Sequence, residues 1–346
     1  MRGKESDMDT KNRQVLLATR PKGYPKETDF TLVETEMPSP GDGEFLVKIH
    51  YLSVDPYMRG LMNDVKTYRE PIPVGGVVIG GGVGTIIESR HPEYREGEVV
   101  VGYWGWQEYA VSDGSGVHRF DPAIGPMSTA LGVLGMPGLT AYFGLLDIGK
   151  PQPGDSVFIS GAAGAVGSVA GQIAKIKGCR VAGSAGSAEK VAFLDEIGFD
   201  AAFNYKEVSD YNSALREVCP GGIDIYFDNV GGPLTDAVFT QINPGARIVV
   251  CGQIDQYNAQ EPPQGPRLLW HLIVKCARAE GFLVFQFEDR YEEGQRAMAR
   301  WMAEGCLTHR ETITEGIENT PEAFIGLFTG ENTGKQLVKV GEPEQQ

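Results

Sequence analysis

The segment that most constrains the fold is residues 156–177, which read SVFISGAAGAVGSVAGQIAKIK. A short apolar run, Val157 to Ile159, enters a loop of Gly and Ala residues, and apolar residues then recur at helical spacing from Val166 to Ile176. This pattern predicts a buried parallel strand, a tight turn and a helix that begins as the turn ends. Such a turn leaves backbone N–H groups at a helix N-terminus, where a dinucleotide pyrophosphate binds. The segment therefore predicts a nicotinamide cofactor.

The loop reads A-x-G-x-x-G across Ala162, Gly164 and Gly167, so alanine stands where the first glycine of the usual fingerprint would be. A glycine pattern alone is weak evidence, and an ordinary strand-to-helix turn is the alternative. The apolar strand before the loop and the helical spacing after it favour the dinucleotide interpretation.

The next predicted strand, residues 179–184, indicates which nicotinamide cofactor is bound. A carboxylate at its end would accept hydrogen bonds from a free ribose 2′-hydroxyl. No acidic residue follows until Glu189; Lys190 comes next, and Tyr205 ends the later segment DAAFNY. A cation and a phenol in place of a carboxylate predict a 2′-phosphate, hence NADP(H) rather than NAD. The alternative for Lys190 is a solvated residue in the first turns of a helix.

Composition indicates an ordinary globular enzyme. The chain has 346 residues, 41% of them hydrophobic, which is sufficient for two or three domains with cores. A net charge of −15 argues against nucleic-acid partners and anionic membrane surfaces. The cysteines number five and include no CxxC pair, so we expect free thiols in a reducing cytoplasm. No segment approaches the length of a membrane span, and residues 1–14 predict a disordered tail.

Two architectures follow one another along the chain. Up to about residue 126, apolar or alternating runs punctuated by Gly and Pro predict an antiparallel, β-rich unit. Beyond it, strands alternate with helices, which predicts an α/β fold with a Rossmann doubly wound parallel sheet. The predicted strands are 156–160, 179–184, 200–205, 223–228, 246–251 and 281–285. A strand, a helix and a strand between Thr312 and Val340 are expected to return to the first unit.

Several motifs in order resemble one protein family. They are VDPYMRG (54–60), AAGAVGSVAGQIAKIKGC (162–179), GFDAAFNY (198–205), YFDNVGG (226–232) and NTGK (332–335). Together they resemble the zinc-independent medium-chain dehydrogenase/reductases, in the branch of prostaglandin reductases, alkenal double-bond reductases and curcumin reductases. The resemblance extends from about Val15 to Val340. It implies a GroES-like catalytic domain over 15–126 and 309–346, a Rossmann NADP-binding domain over 127–308, and a homodimer joined through the Rossmann sheet edges.

The same resemblance implies NADPH-dependent reduction of the C=C bond of α,β-unsaturated carbonyls, such as 2-alkenals, enones, and 15-oxoprostaglandin-like or curcumin-like compounds. The residues agree with the absence of a metal site, because a catalytic zinc needs three protein ligands and a structural zinc needs clustered cysteines. No cysteine precedes Cys179, and the histidines are scattered. Hydride addition to a conjugated carbonyl gives a delocalised enolate that hydrogen bonds can stabilise without a Lewis acid.

The resemblance also assigns site residues. It places NADP contacts at Gly164, Ala165, Val166 and Gly167 for the pyrophosphate, at Lys190 and Tyr205 for the 2′-phosphate, and at Asn229, Cys251, Gly252, Tyr257, Phe282, Leu283, Val284 and Asn332. Asn229 is equally explained as a turn residue at a strand end.

Tyr257 is the candidate proton donor or carbonyl orienter, with loop packing as its alternative. Tyr57 is expected to line the substrate pocket and to take part in catalysis. Trp104 and Trp106 could form an aromatic wall, although core packing explains at least one of them equally well. Two other functions remain open: an NADPH quinone reductase, and a cofactor-binding protein without significant turnover.

Overall fold

The computed structural model describes residues 11–341, which divide into two compact units. The described part of the first unit comprises 11–131, 313–327 and 337–341, and the second comprises 132–312 and 328–336. The predicted tail lies mostly outside the described residues, but residues 11–14 belong to a strand rather than to a tail. The expected return of the C-terminal segment to the first unit is only partly correct, because 328–336 belongs to the second unit.

The first unit is built mainly from antiparallel strands, as the sequence predicts. Its elements before residue 132 are β1 (Lys11–Leu17), β2 (Phe30–Glu36), β3 (Phe45–Ser53), α1 (Met58–Leu61), β4 (Gly82–Ser89), β5 (Val99–Gly102), β6 (Tyr109–Ser112) and β7 (His118–Arg119). β1 pairs with β2, while β3 lies between other strands and pairs with both β4 and β6. β3 is buried along most of its length, and its sequence FLVKIHYLS is mainly apolar, which agrees with a strand that is covered on both faces.

The second unit alternates helices and strands. Its elements are α2 (Met136–Phe143), β8 (Ser156–Ile159), α3 (Gly167–Ile176), β9 (Arg180–Ala185), α4 (Ala188–Glu196), β10 (Ala201–Asn204), α5 (Tyr211–Val218), β11 (Ile223–Asp228), α6 (Gly232–Phe239), β12 (Ile242–Val250), α7 (Leu269–Lys275), β13 (Arg278–Gly281) and α8 (Tyr291–Ala303). The chain then forms β14 (Glu311–Glu315), α9 (Thr320–Thr329) and β15 (Lys335–Lys339).

The sheet of the second unit is parallel and has the order β10-β9-β8-β11-β12-β13. The strand order reverses between β8 and β11, and open sheets of this kind bind ligands at the carboxyl ends of the strands beside that reversal. The central strands are apolar because they are buried on both faces; Phe158 and Phe227 are fully buried. The predicted doubly wound sheet is confirmed.

The predicted sixth strand, 281–285, is wrong in position. The structure places β13 at Arg278–Gly281, and residues Val284–Arg290 form a 3-10 helix instead. β13 reads RAEG and is exposed along its length, and among the described strands it pairs with β12 alone, at the sheet edge. An edge strand needs no apolar run. The residues that follow β13 are more apolar than β13 itself, and they therefore predicted a strand where the structure has a 3-10 helix.

Candidate active site

The glycine loop lies between β8 and α3, at the carboxyl end of the central strand. A Cβ atom on Gly167 would lie 2.5 Å from the Gly161 carbonyl oxygen, so only glycine lets α3 start this close to the strand end. A Cβ atom on Gly164 would meet only that same oxygen, at 3.3 Å. The loop therefore offers an open cradle beside the amides of Ala165, Val166 and Gly167, which precede or start a helix and lack intrahelical acceptors. This shape fits a pyrophosphate.

The segment that contains Asn332 returns to the glycine loop. The Gly334 amide donates a hydrogen bond of 2.8 Å to the Ala163 carbonyl, and Asn332 Nδ2 donates to the Gly334 carbonyl at 2.8 Å. Gly334 has φ +70°, and a Cβ there would lie 1.9 Å from the Arg310 carbonyl oxygen. This close approach explains why the NTGK segment belongs to the second unit.

Lys190 lies in the first turn of α4, which follows β9, and Tyr205 directly follows β10. Ser187 caps α4 by accepting a hydrogen bond from the Lys190 amide, and Lys190 Nζ donates to the Gly330 carbonyl at 2.8 Å. Burial lowers the pKa of the Lys190 ammonium, and the neighbouring Lys206 ammonium lowers it further. The Tyr205 hydroxyl lies 3.0 Å from where a Cβ on Gly186 would be. Positive charge and a phenol therefore border the turn after β9, where no acidic side chain ends the strand.

Asn229 follows β11 and faces the end of β8. Its backbone amide donates to Ser160 Oγ at 3.0 Å, and its Nδ2 donates to the Ser160 carbonyl at 2.8 Å. These bonds fix the side chain, beyond what a strand-end turn requires. The amides of Cys251 and Gly252 donate to the Asp228 carbonyl at 2.9 and 3.0 Å, which joins the loop after β12 to the same place.

Tyr257 lies in the loop after β12, directly after the short 3-10 helix Ile254–Gln256. Its hydroxyl oxygen accepts a hydrogen bond of 3.3 Å from the Gln253 amide and lies 3.3 Å from where a Cβ on Gly252 would be. Burial raises the pKa of the Tyr257 phenol above its ordinary value. Burial also raises the pKa of the nearby Cys251 thiol to about 12, which leaves that thiol protonated and unreactive. Because the Tyr257 oxygen accepts the loop hydrogen bond, its proton can be donated to another group.

The three residues after β13 differ in their surroundings. The Phe282 ring packs against Gly144, where a Cβ would lie 2.5 Å from it. Leu283 is exposed, and Val284 starts the 3-10 helix. All three follow the last strand of the sheet at its carboxyl edge, the same edge as the glycine loop.

Tyr57 lies in the first unit, immediately before α1. Its hydroxyl is buried and has no hydrogen-bond partner within residues 11–341. Burial raises the pKa of this phenol well above its ordinary value, and the Asp55 carboxylate adds to the shift. A buried hydroxyl without a partner is costly unless a ligand supplies one, so this atom is a candidate substrate contact.

The two tryptophans have different environments. Trp106 is fully buried, and its ring contacts Phe30 at 5.7 Å and Phe324 at 5.6 Å between ring centroids. This burial favours the packing alternative for Trp106, and its place in an aromatic wall stays a prediction. Trp104 is half-buried and packs over Gly102, where a Cβ would lie 2.6 Å from the indole. Of the two tryptophans, Trp104 is the more accessible to a substrate.

Sequence reasoning missed Ser160, Asp228, Gln253 and Lys206. The one signal available in the sequence was Asp228, an acidic residue that directly follows the apolar residues IYF at the end of β11. The partners of that carboxylate come from three separate strand ends, so their meeting could not be inferred from spacing.

Within the described part of the chain, no group of three or more His, Cys, Asp or Glu side chains could hold a metal ion. No helix between residues 11 and 341 combines the length and apolar character needed to cross a membrane.

Comparison with known proteins gives extensive similarity. Residues 13–120 match the family model described as the N-terminal domain of oxidoreductase, and residues 165–301 match the one described as zinc-binding dehydrogenase. The NADPH-dependent curcumin reductase of Escherichia coli (strain K12) is 45% identical over 95% of this chain and 97% of its own length. The NADP-dependent 2-alkenal reductase of Nicotiana tabacum is 42% identical over 96% of this chain and 98% of its own.

A solved structure is similar over nearly the whole chain. The crystal structure of CurA in complex with NADPH from Vibrio vulnificus is 46% identical, with a TM-score of 0.91, and the match covers 96% of this chain and 100% of that one.

Proposed function

The chain belongs to the medium-chain dehydrogenase/reductase family, in the branch of prostaglandin, alkenal double-bond and curcumin reductases, and on that premise we propose that it reduces the C=C bond of α,β-unsaturated carbonyls with NADPH. The observation that carries this proposal is the joining of the glycine-loop cradle to the loops of Asn229 and Tyr257 at one sheet edge. That edge presents a pyrophosphate cradle and a proton-bearing phenol on one rigid sheet.

The proposed NADPH site combines the glycine loop with the side chains that follow β9 and β10. Ala165, Val166 and Gly167 would bind the pyrophosphate through backbone amides, while Lys190 and Tyr205 would bind the 2′-phosphate. Asn229, Cys251, Gly252, Tyr257, Phe282, Leu283, Val284 and Asn332 would contact the rest of the cofactor. The complex of CurA with NADPH and the NADP-dependent relatives support this choice.

Bound NADPH supplies a hydride for the β-carbon of the conjugated carbonyl. The resulting enolate carries its charge mainly on the carbonyl oxygen, where a phenol can donate a hydrogen bond. Tyr257 suits this role because its raised pKa keeps it protonated and its hydroxyl oxygen is already oriented by the Gln253 amide. In the first unit, Tyr57, whose buried hydroxyl has no hydrogen-bond partner among residues 11–341, and Trp104 are the proposed substrate contacts. Protonation at the α-carbon completes the saturated product.

An assay of NADPH consumption tests the activity. Purified protein is given a cyclic enone, a 2-alkenal or a naphthoquinone, and in a separate reaction a secondary alcohol with NADP. We expect the enone and alkenal to be reduced fastest and the alcohol not to react. A strong preference for the quinone would favour the quinone reductase alternative. Absence of turnover with every acceptor would favour a cofactor-binding protein.

We also propose that two copies associate through the edge of the parallel sheet. β13 has a pairing partner on only one side, and the adjacent helix α7 exposes an apolar surface formed by Leu269, Trp270, Ile273 and Val274. Trp270 is 65% exposed and Ile273 68%, which is unusual for a monomer surface. A two-fold axis at β13 would cover both features at once, by adding strands across the edge.

The oligomeric state is tested by light scattering on the eluting protein. The measured mass of the wild type is expected to be twice that of one chain. The double variant Trp270→Glu, Ile273→Glu, which places charges on the apolar surface of α7, is expected to have the mass of one chain. A monomeric wild type would contradict the proposal.

A cytoplasmic location is proposed from the cysteines, which are all free in the structure.

A further inference from the structure

The carboxylate of Asp228 lies at the last position of β11 and is completely buried. Its Oδ1 atom accepts hydrogen bonds from the Tyr226 hydroxyl (2.8 Å), Ser160 Oγ (3.1 Å), the Val230 amide (3.0 Å) and the Gly231 amide (2.9 Å). Its Oδ2 atom accepts from Thr235 Oγ1 (3.0 Å) and Gln253 Nε2 (2.9 Å). All of these partners are neutral donors, which a carboxylate, having only acceptors, can satisfy together.

The two carboxylate oxygens lead to different parts of the candidate site. Through Oδ1, Asp228 orients Ser160, whose hydroxyl in turn accepts from the Asn229 amide at 3.0 Å. Through Oδ2, it holds the Gln253 side chain, whose own backbone amide donates to the Tyr257 hydroxyl at 3.3 Å. One buried group thus fixes both Asn229, a proposed NADP contact, and Tyr257, the proposed proton donor.

We propose that Asp228 is a positioning residue for the reaction, whose buried carboxylate sets where Asn229 and Tyr257 stand relative to the cofactor. The inference rests on the proposed function. Asp228 has no exposed surface and cannot touch NADPH or substrate, so it acts only through the loops it binds. A carboxylate is required there because an amide of the same size would direct its own N–H groups at the surrounding donors.

Asp228→Asn tests the proposal because it keeps the size of the side chain. Misplacement of reacting groups by a fraction of an ångström lowers turnover, so we expect kcat per folded enzyme to fall about tenfold or more. We expect the NADPH dissociation constant to rise roughly threefold to tenfold, from hydrogen bonds lost around Asn229. The ratio of NADPH to NADH affinity is expected to stay within about twofold, because Lys190 and Tyr205 lie at other strands.

A matched pair of variants separates positioning from stability. Gln253→Met and Thr235→Val each delete one donor to the same Oδ2 atom, but only Gln253 leads to Tyr257. Both variants are expected to lower Tm by similar amounts. Only Gln253→Met is expected to lower kcat and to increase the isotope effect measured with NADPH deuterated at the transferred position. If Asp228→Asn does not fold, this pair carries the test alone.

The outcomes are distinct. Equal kcat per folded enzyme in wild type, Asp228→Asn and Gln253→Met would overturn the inference and leave Asp228 as a packing residue. Equal losses in Gln253→Met and Thr235→Val would overturn it too. The NADPH dissociation constant, measured by protein fluorescence, does not depend on turnover. If wild type reduced no enone but Asp228→Asn still bound NADPH more weakly, the proposed function would fail while the role in cofactor binding would stand.

Discussion

The two ends of the proposed cofactor site are built differently. At the 2′-phosphate end, Lys190 and Tyr205 are half-buried and follow different strands, and Lys190 Nζ donates a hydrogen bond to the Gly330 backbone carbonyl. At the other end, Asn229 and Tyr257 belong to one hydrogen-bond network centred on the fully buried Asp228. The first arrangement can select a cofactor by one charge, and the second fixes geometry cooperatively. Substitutions should therefore have separable effects at the first end and coupled effects at the second.

The glycine loop joins the two ends, so Gly167→Ala is expected to have the largest effect. The added Cβ would lie 2.5 Å from the Gly161 carbonyl oxygen and 2.8 Å from Ala162 Cα, which are backbone atoms that cannot rotate away. We expect a loss of about 1–3 kcal/mol of stability from overpacking and NADPH binding weakened at both ends. Thermal unfolding and NADPH titration measure the two effects.

Gly221→Ala is the matched control, because a Cβ at Gly221 would meet nothing within 4 Å. If Gly167→Ala bound NADPH as well as this control does, the loop would not be the pyrophosphate cradle.

Tyr257→Phe should separate chemistry from cofactor binding at the network end. Deleting the hydroxyl keeps the ring packing but leaves the Gln253 amide without its acceptor, so we expect Tm to fall together with turnover while NADPH affinity changes little. Loss of the proton or hydrogen bond to the enolate should lower kcat by about 10- to 100-fold, with water replacing part of the effect. Steady-state kinetics with an enone measure it. Unchanged kcat, where deuterated NADPH shows hydride transfer to be rate-limiting, would exclude Tyr257 from the reaction.

The pH profile of the wild type gives a second test of Tyr257. The phenol must be protonated to donate, and burial raises its pKa above the ordinary value of 10.0. The midpoint of the alkaline decline of kcat should therefore lie above the ordinary value for a phenol, and the decline should be absent from Tyr257→Phe. A decline in wild type that the variant retains would belong to another group.

Lys190→Ala should affect one cofactor and not the other. Loss of a charge-assisted contact to the 2′-phosphate is expected to cost on the order of 1.5–3 kcal/mol, roughly tenfold or more in NADPH affinity. NADH affinity should be almost unchanged. Titration of both cofactors checks this, with Lys175→Ala, whose ammonium pairs with Asp200, as a control for general charge loss. Equal weakening of both cofactors would make Lys190 a structural residue.

Of these treatments, metal chelation is expected to change activity least. Residues 11–341 contain no group of three or more His, Cys, Asp or Glu side chains that could hold a metal ion. Exhaustive dialysis against a chelator is expected to leave enone reduction unchanged, with elemental analysis as the check. Stoichiometric zinc, together with loss of activity on its removal, would refute the zinc-independent assignment.

The sequence predicted what depends on neighbouring residues. The glycine loop, the alternation of strands and helices, and the missing acid after β9 are all local patterns, and the structure has each of them. The position of β13 was not predictable from apolar runs because an exposed edge strand carries none. Trp106 could not be assigned either, since burial against Phe30 and Phe324 depends on segments far apart in the chain.

The network around Asp228 was missed for a related reason. Ser160, Gln253 and the carboxylate are brought together by parallel pairing of β8, β11 and β12, which places three strand ends side by side. The sequence pattern predicts the strands, but it does not predict the hydrogen bonds that form between their ends. The buried Tyr57 hydroxyl was not predictable either, because the sequence does not show that it lacks a hydrogen-bond partner among residues 11–341.

The fate of the transferred hydride tests the central claim most directly. An enone is reduced with NADPH carrying deuterium at the transferred position, and the product is analysed by NMR and mass spectrometry. The account predicts a saturated ketone with deuterium on the carbon β to the carbonyl and a solvent-derived proton on the α-carbon. An allylic alcohol with deuterium on the former carbonyl carbon would contradict it.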